Sequence, residues 1–178
     1  MLLSSRYVYL VSKAFTRESD DDSGTEEISF LRLQLPPGTS NYITREGAGR
    51  LKQRLNDLLE KKQALVSTRP TGPASEADLR KIESAIRNLQ QTLDAVVIAE
   101  IPADQGKVAF GASVTVRHGN GEEAAYNIVG VEEADPERGS ISWVSPLARA
   151  LLSWRAGDQI KFRSPAGDEA LTILSVRY

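Results

Sequence analysis

The chain is 178 residues long, 40% hydrophobic and 26% charged, an ordinary globular composition that excludes a disordered or membrane-spanning class and leaves room for one domain or two small ones. A formal charge of -2 excludes a broad grip on bare nucleic acid, which needs a concentrated positive field, and leaves only a local basic patch open. The absence of cysteine removes disulfide frameworks, thiolate nucleophiles and cysteine-ligated zinc, and fits a reducing compartment, so a cytoplasmic location is expected.

The first eleven residues have an apolar flavour, but Arg6 interrupts them and no small-residue cleavage site follows. Neither a signal peptide nor a membrane anchor is expected. Thr16 to Glu27 reads TRESDDDSGTEE, a polar block that cannot bury enough apolar surface to offset the entropy of ordering it. Its acids Asp20, Asp21 and Asp22 lack the preorganised ligand geometry that calcium sites use. Leu35-Pro36-Pro37-Gly38-Thr39 is extended or turn-like. Residues 1–42 are therefore expected to form a mobile acidic tail.

Thr44 can cap a helix, with Glu46 in its first turn. Leu51, Leu55, Leu58 and Leu65 recur as one apolar seam, with Lys62 in the intervening place. The stretch Arg69-Pro70-Thr71-Gly72-Pro73 predicts a turn, and Ser75 with Asp78 three residues on predicts a variant capping box. A second seam follows through Leu79, Ile82, Ile86, Leu89, Leu93 and Val96. Two helices with one narrow stripe each, joined by a short loop, are expected to pair antiparallel as an arm over 43–100. Half of a four-helix bundle is the competing reading. A free-standing hairpin is favoured because nothing else in the chain offers partner helices.

From Gly106 the apolar period becomes two. Val108, Phe110, Val114 and Val116 fit a strand interrupted by Gly111, and His118-Gly119-Asn120-Gly121 carries a tight-hairpin signal before a partner strand at 124–131. Ile141 to Val144 reads as a strand running into Ser145-Pro146, a cap and first-turn proline for a short helix over 147–152. Two last strands are expected at 159–163 and 171–178. The fold class is thus α+β, with a coiled-coil hairpin before a five-stranded antiparallel sheet domain with one short helix over 104–178.

No nucleophile constellation emerges. The sole histidine, His118, sits in a glycine-rich turn and reads as a solvated residue, and the Gly-x-Gly at 119–121 lacks the helix a phosphate cradle requires. Two features carry more. Arg50, Lys52, Arg54, Lys61, Lys62, Arg69, Arg80, Lys81 and Arg87 give the arm a positive bias, against the plain reading of a solvated helix surface. Ser145-Pro-Leu-Ala-Arg-Ala-Leu-Leu152 presents a rigid proline and Arg149, against the plain reading of a capped helix.

Four segments in order resemble the Gre family of bacterial transcription elongation factors: Tyr42-Ile-Thr-Arg-Glu-Gly47 followed by Leu51-Lys-Gln-Arg-Leu55; Gly106-Lys-Val-Ala-Phe-Gly111; Tyr126-Asn-Ile-Val-Gly130 with Glu132, Glu133, Ala134 and Asp135; and Ile141 to Leu152. The resemblance covers roughly residues 41–178 and is nearest to GreB-like members with a shortened coiled coil. Ser12-Lys-Ala-Phe-Thr-Arg-Glu18 resembles the start of such chains, which points to Val11 rather than Met1 as the initiation site.

The resemblance implies an FKBP-like C-terminal domain without prolyl isomerase activity, since a fold does not confer a site. It implies bacterial RNA polymerase as partner, with the arm in the secondary channel and the body on its rim, an indirect contact with nascent RNA, a DNA-binding role of the kind attributed to the family, a monomer, and no membrane. In cleaving members, two acids at the arm tip in a Gly-Asp-x-x-Glu-Asn pattern help to hold a magnesium ion that activates water. Here the letters are Gly72-Pro73-Ala74-Ser75-Glu76-Ala77, so Glu76 and the nearby Asp78 are the candidates that remain. The arm aligns about two turns per helix shorter than in cleaving members, roughly 10 Å less reach. No cofactor and no metal site of the protein's own is expected, and magnesium enters only if the arm tip reaches the polymerase centre. The protein is thus expected to be no enzyme, but a regulator with weak or absent stimulation of the polymerase's own RNA cleavage. Docking is expected at Ser145, Pro146, Ala148 and Arg149, with Val144 standing where GreB has an acid. The alternatives are a cleavage factor using Glu76 and Asp78, and a hairpin that binds another coiled coil away from transcription.

Overall fold

The structure, a computed structural model, describes residues 35–36, 38–67, 73–164 and 167–178. The acidic block at 16–27 and the Arg69-to-Gly72 part of the expected turn lie outside the described residues. The chain forms two compact units, Ser40–Ile98 and one that holds Ala99–Tyr178.

In the first unit, β1 (Asn41–Ile43) leads into α1 (Arg45–Ser67), α2 (Pro73–Ala95) and β2 (Val96–Ile98). Thr44 caps α1, because its Oγ1 accepts the Gly47 N–H at 2.9 Å and satisfies one of the orphan donors of the first turn. Leu51, Leu55, Leu58, Lys62 and Leu65 are the half-buried positions between Arg50 and Ser67. On α2 the matching row is Leu79, Ile82, Leu89 and Leu93, half-buried, with Ile86 buried. Half-burial suits a two-helix contact, whereas a four-helix core would close over these stripes.

Two local expectations are corrected. The second helix starts at Pro73, where the fixed φ of proline suits a first turn, so Ser75 is already inside the helix and is not its cap. The helix also ends before Val96: the β-branched run Val96-Val97-Ile98 is a strand paired in parallel with β1, Tyr42 opposite Val97. Asn41 and Tyr42, expected at the end of the tail, thus belong to β1.

The second unit contains β3 (Ser113–Arg117), β4 (Glu123–Val129), two 3-10 turns at Val131–Glu133 and Pro136–Arg138, β5 (Ser140–Ser142), α3 (Pro146–Leu151), β6 (Gln159–Ser164) and β7 (Gly167–Arg177). The sheet order is β5-β4-β3-β7-β6. Val114, Val116, Ile128, Leu171 and Ile173 are fully buried, and Leu151 and Ala148 from α3 close the core. The architecture is α+β, with one pairing that departs from the all-antiparallel expectation: β5 runs parallel to β4. The two 3-10 turns carry the chain back before β5 starts, and Gly139, at φ 70, completes the reversal. Its carbonyl accepts the Asn127 N–H at 2.9 Å.

Candidate functional site

At the tip-proximal end of the arm, Glu76 and Asp78 stand two residues apart on α2, about 200° around a helix of 3.6 residues per turn. They point to different sides. Each lies near a base of its own helix, Glu76 Oε2 at 3.9 Å from Arg80 and Asp78 Oδ1 at 4.0 Å from Lys81. Side chains so exposed, 66% and 63%, make contacts of little energy. One cation could be held by only one of them at a time, so this pair does not fit a two-carboxylate magnesium site. Among the described residues no group of three or more His, Asp or Glu side chains is placed to hold a metal.

The basic residues of the arm are not one patch. Arg50, Arg54 and Lys61 fall on one stripe of α1 by helical spacing, while Lys52 lies on another. Lys61 and Lys81 line a shallow groove between the helices with Ala64, Leu65, Asp78 and Ile82. Lys62 is spent on the seam, where its Nζ lies 2.8 Å from Glu83 Oε1 and, by hydrogen bond first and charge second, holds that carboxyl below its usual value. Arg87 is exposed and adds a weaker pull on Glu83. Arg69 lies outside the described residues.

In the body, Ser145 is the N-cap of α3 and its Oγ accepts the Ala148 N–H at 3.2 Å. Pro146 and Arg149 are exposed and, three apart, share a face of this short helix. Ala148 has no exposed surface, so it supports the junction from beneath and presents nothing to a partner. Val144 is likewise buried. An apolar residue there packs into the body, which no solvated acid could do at the same cost.

Backbone hydrogen bonds tie this junction to the other two body segments named above. Trp143 N–H donates to the Val129 carbonyl at 2.9 Å, Gly111 N–H to Ile128 at 2.8 Å, Val108 N–H to Trp154 at 2.8 Å and Ser153 N–H to Val108 at 2.8 Å. Arg155 closes the same corner through Asp104, Nη2 to Oδ2 at 2.6 Å, and this bond holds the Asp104 carboxyl below its ordinary value. Three stretches far apart in sequence therefore form one continuous hydrogen-bonded module that fixes how Pro146 and Arg149 are displayed. Trp154, 45% exposed just after α3, is a surface aromatic that sequence reasoning passed over, since nothing in the local pattern separates it from a core tryptophan.

The expectation for His118 is overturned. It is 8% exposed, and its Nδ1 lies 2.8 Å from Glu169 Oε1 on β7. The period-two parity of β3 explains this, because Val114, Val116 and His118 all face inward. That parity was visible in the sequence.

The family described as transcription elongation factor, GreA/GreB, C-term matches residues 103–178. Transcription elongation factor GreB of Neisseria meningitidis serogroup A is 36% identical over 155 residues, covering 79% of this chain and 95% of that protein. The chain belongs to the Gre family. Transcription elongation factor GreA of Chloroflexus aurantiacus is 41% identical over 151 residues, covering 76% of this chain and 96% of that one. GreB of Pseudomonas aeruginosa is 35% identical over 159 residues, 80% and 95% of the two chains. In the Neisseria comparison, 79% of 178 residues is about 141, so the GreB chain contributes about 14 residues to the matched stretch that this Gre protein lacks. This chain is therefore a Gre-family transcription elongation factor with a trimmed Gre framework, and among its described residues no helix is long and apolar enough to cross a membrane.

Proposed function

We propose that this protein binds bacterial RNA polymerase in the cytoplasm, enters the secondary channel with its hairpin arm, rests on the channel rim through Pro146 and Arg149 with Ser145 holding their geometry, and stimulates little or no RNA cleavage. In this reading it is an accessory regulator rather than an enzyme. Membership of the Gre family supports the polymerase as partner, and the observation that carries the expectation of little or no cleavage is the divergence of Glu76 and Asp78 around α2, since a hard cation is ligated at about 2.0–2.6 Å and carboxylates on opposite helix faces cannot converge on it. The arm is also compact, since α1 and α2, each 23 residues, span about 35 Å at 1.5 Å rise per residue.

Two alternatives differ in outcome. A hairpin devoted to another coiled coil would leave polymerase unbound; a working cleavage factor would bind polymerase and shorten backtracked RNA. Comigration with core polymerase on a sizing column, followed by displacement of a labelled cleaving Gre factor, tests the reading. Comigration and displacement are expected, with both weakened by Arg149→Glu; absence of binding at micromolar concentration rejects the proposal.

A further inference from the structure

We infer that Trp154 is a further docking residue beside Pro146 and Arg149, and that the three receive a protein surface of the polymerase that offers a carboxylate next to an aliphatic side chain. The inference rests on the proposed seat of the body on polymerase. The chain has two tryptophans, and they are placed differently. Trp143 packs against the body core, whereas Trp154 is left 45% exposed. Covering so large an apolar ring releases the water around it, and tryptophan and arginine lead the residues that carry most of the energy of protein interfaces.

The ring stands on a rigid support. Ser153 N–H donates to the Val108 carbonyl and Val108 N–H donates to the Trp154 carbonyl, each at 2.8 Å, while Arg155 N–H donates to Asp158 Oδ2 at 2.7 Å. The backbone is thus pinned on both sides of Trp154. Ser153 holds the left-handed conformation at φ 73 in this clamp, and backbone strain kept beside an exposed aromatic points to function. With the backbone fixed, only the two side-chain torsions of the tryptophan remain to be ordered on binding.

Place and charge select the occupant. Trp154 follows Arg149 by five residues, so their Cα atoms are at most about 18 Å apart. The bonds from Leu152 N–H to Ala148 and from Trp154 N–H to Leu151 shorten that span, and an interface of about 800 Å² on each partner has room for both residues. No acid lies on α3. Among the described residues Arg149 is in no ion pair, unlike Arg155, whose guanidinium is engaged by Asp104. Arg149 is therefore open to a carboxylate of the partner. Residues 99–178 carry eight Lys and Arg against eleven Asp and Glu, a balance that disfavours phosphate-rich nucleic acid and favours protein.

The test is affinity for core polymerase free of nucleic acid, read by displacement of a labelled cleaving Gre factor, for the full-length protein and its Trp154→Ala, Trp154→Gln and Trp154→Phe variants. The alanine and glutamine variants are expected to bind at least about tenfold more weakly at unchanged melting temperature, and the phenylalanine variant to keep most of the affinity. Glutamine retains a stem over the body surface, so it reports even where alanine harms folding. Added salt is expected to weaken Trp154→Ala as steeply as the unaltered protein and Arg149→Ala less steeply, because only the arginine contact is ionic. Equal affinity of Trp154→Ala and the unaltered protein overturns the inference and leaves polymerase binding standing. Weaker binding by both variants together with lower melting temperatures marks Trp154 as a support of the corner and overturns it as well. So does a loss confined to complexes that contain RNA, which assigns the ring to nucleic acid. No binding by the unaltered protein rejects the polymerase reading itself, and this inference falls with it.

Discussion

Lys62 Nζ and Glu83 Oε1 meet at 2.8 Å across the hairpin, in the one place of the α1 seam not occupied by an apolar residue. A lone polar member of an apolar seam costs stability relative to leucine, but it fixes which residue of one helix stands opposite which of the other. The Glu83 carboxyl is held below its usual value of 4.5 by the Lys62 hydrogen bond first and its charge second. A carboxyl whose folded value is depressed adds stability above its unfolded value and loses it as pH falls through the folded value. The stability difference between the protein and Glu83→Gln is therefore expected at neutral pH and to vanish as acid protonates Glu83. Urea melts at a series of pH values check this; a difference that grows toward acid contradicts it.

The His118–Glu169 contact in the body is of another kind, since both side chains are largely buried, 7% and 14% exposed. Removing the histidine leaves a carboxylate with no partner at that oxygen, and its other oxygen is already buried without one. His118→Ala is expected to cost about 1–3 kcal/mol. His118→Ala with Glu169→Ala should cost less than the sum of the single changes, as it does for residues in contact. Strict additivity in denaturant melts would show that the pair is not coupled.

Gly139 is required where it stands. It adopts φ 70, and an added Cβ would lie 2.6 Å from the Ala125 carbonyl oxygen, a backbone atom with little room to retreat. Gly139→Ala is expected to lose at least about 1–2 kcal/mol from the left-handed conformation alone, and the close approach adds to this. The expected readout is faster amide exchange along β5 together with a lower melting temperature.

Ser153 is the only non-glycine residue with positive φ among the described residues, at 73. It leaves α3 and at once gives its N–H to Val108, so the strain serves the corner that displays Pro146 and Arg149. Ser153→Gly is expected to be neutral or to stabilise by up to about 1 kcal/mol, and Ser153→Val to destabilise by more than about 1 kcal/mol, because a β-branched side chain tolerates this region least. Equal melting temperatures for the two variants would contradict the account.

Sequence made the two helices of the arm legible, because helical period and the Thr44 cap agree with the structure, and Lys62 could be read as a seam residue from spacing alone; the helix start at Pro73 and the change to strand at Val96 were missed. The hairpin at His118–Gly121 was equally open, with Gly121 at φ 88 and Arg117 opposite Glu123. What stayed hidden depends on contacts between distant segments. The Glu169 partner of His118 lies 51 residues away, and the parallel placement of β5 follows from two 3-10 turns that carry no strong pattern. In the candidate site, Ser145 and Pro146 were recognisable as a cap and a first-turn proline. The burial of Ala148 was not, because one alanine in a six-residue helix can face either way. The divergence of Glu76 and Asp78 was implicit in their spacing once the segment was known to be helical.

The central claim is that this arm cannot present a converging pair of carboxylates to a metal. Its most direct test is the rate of RNA shortening in stalled, backtracked elongation complexes saturated with the protein, compared with Glu76→Ala and Asp78→Ala. The account predicts a rate close to that of polymerase alone and unchanged by either substitution. A marked acceleration that disappears with Glu76→Ala or Asp78→Ala would contradict it.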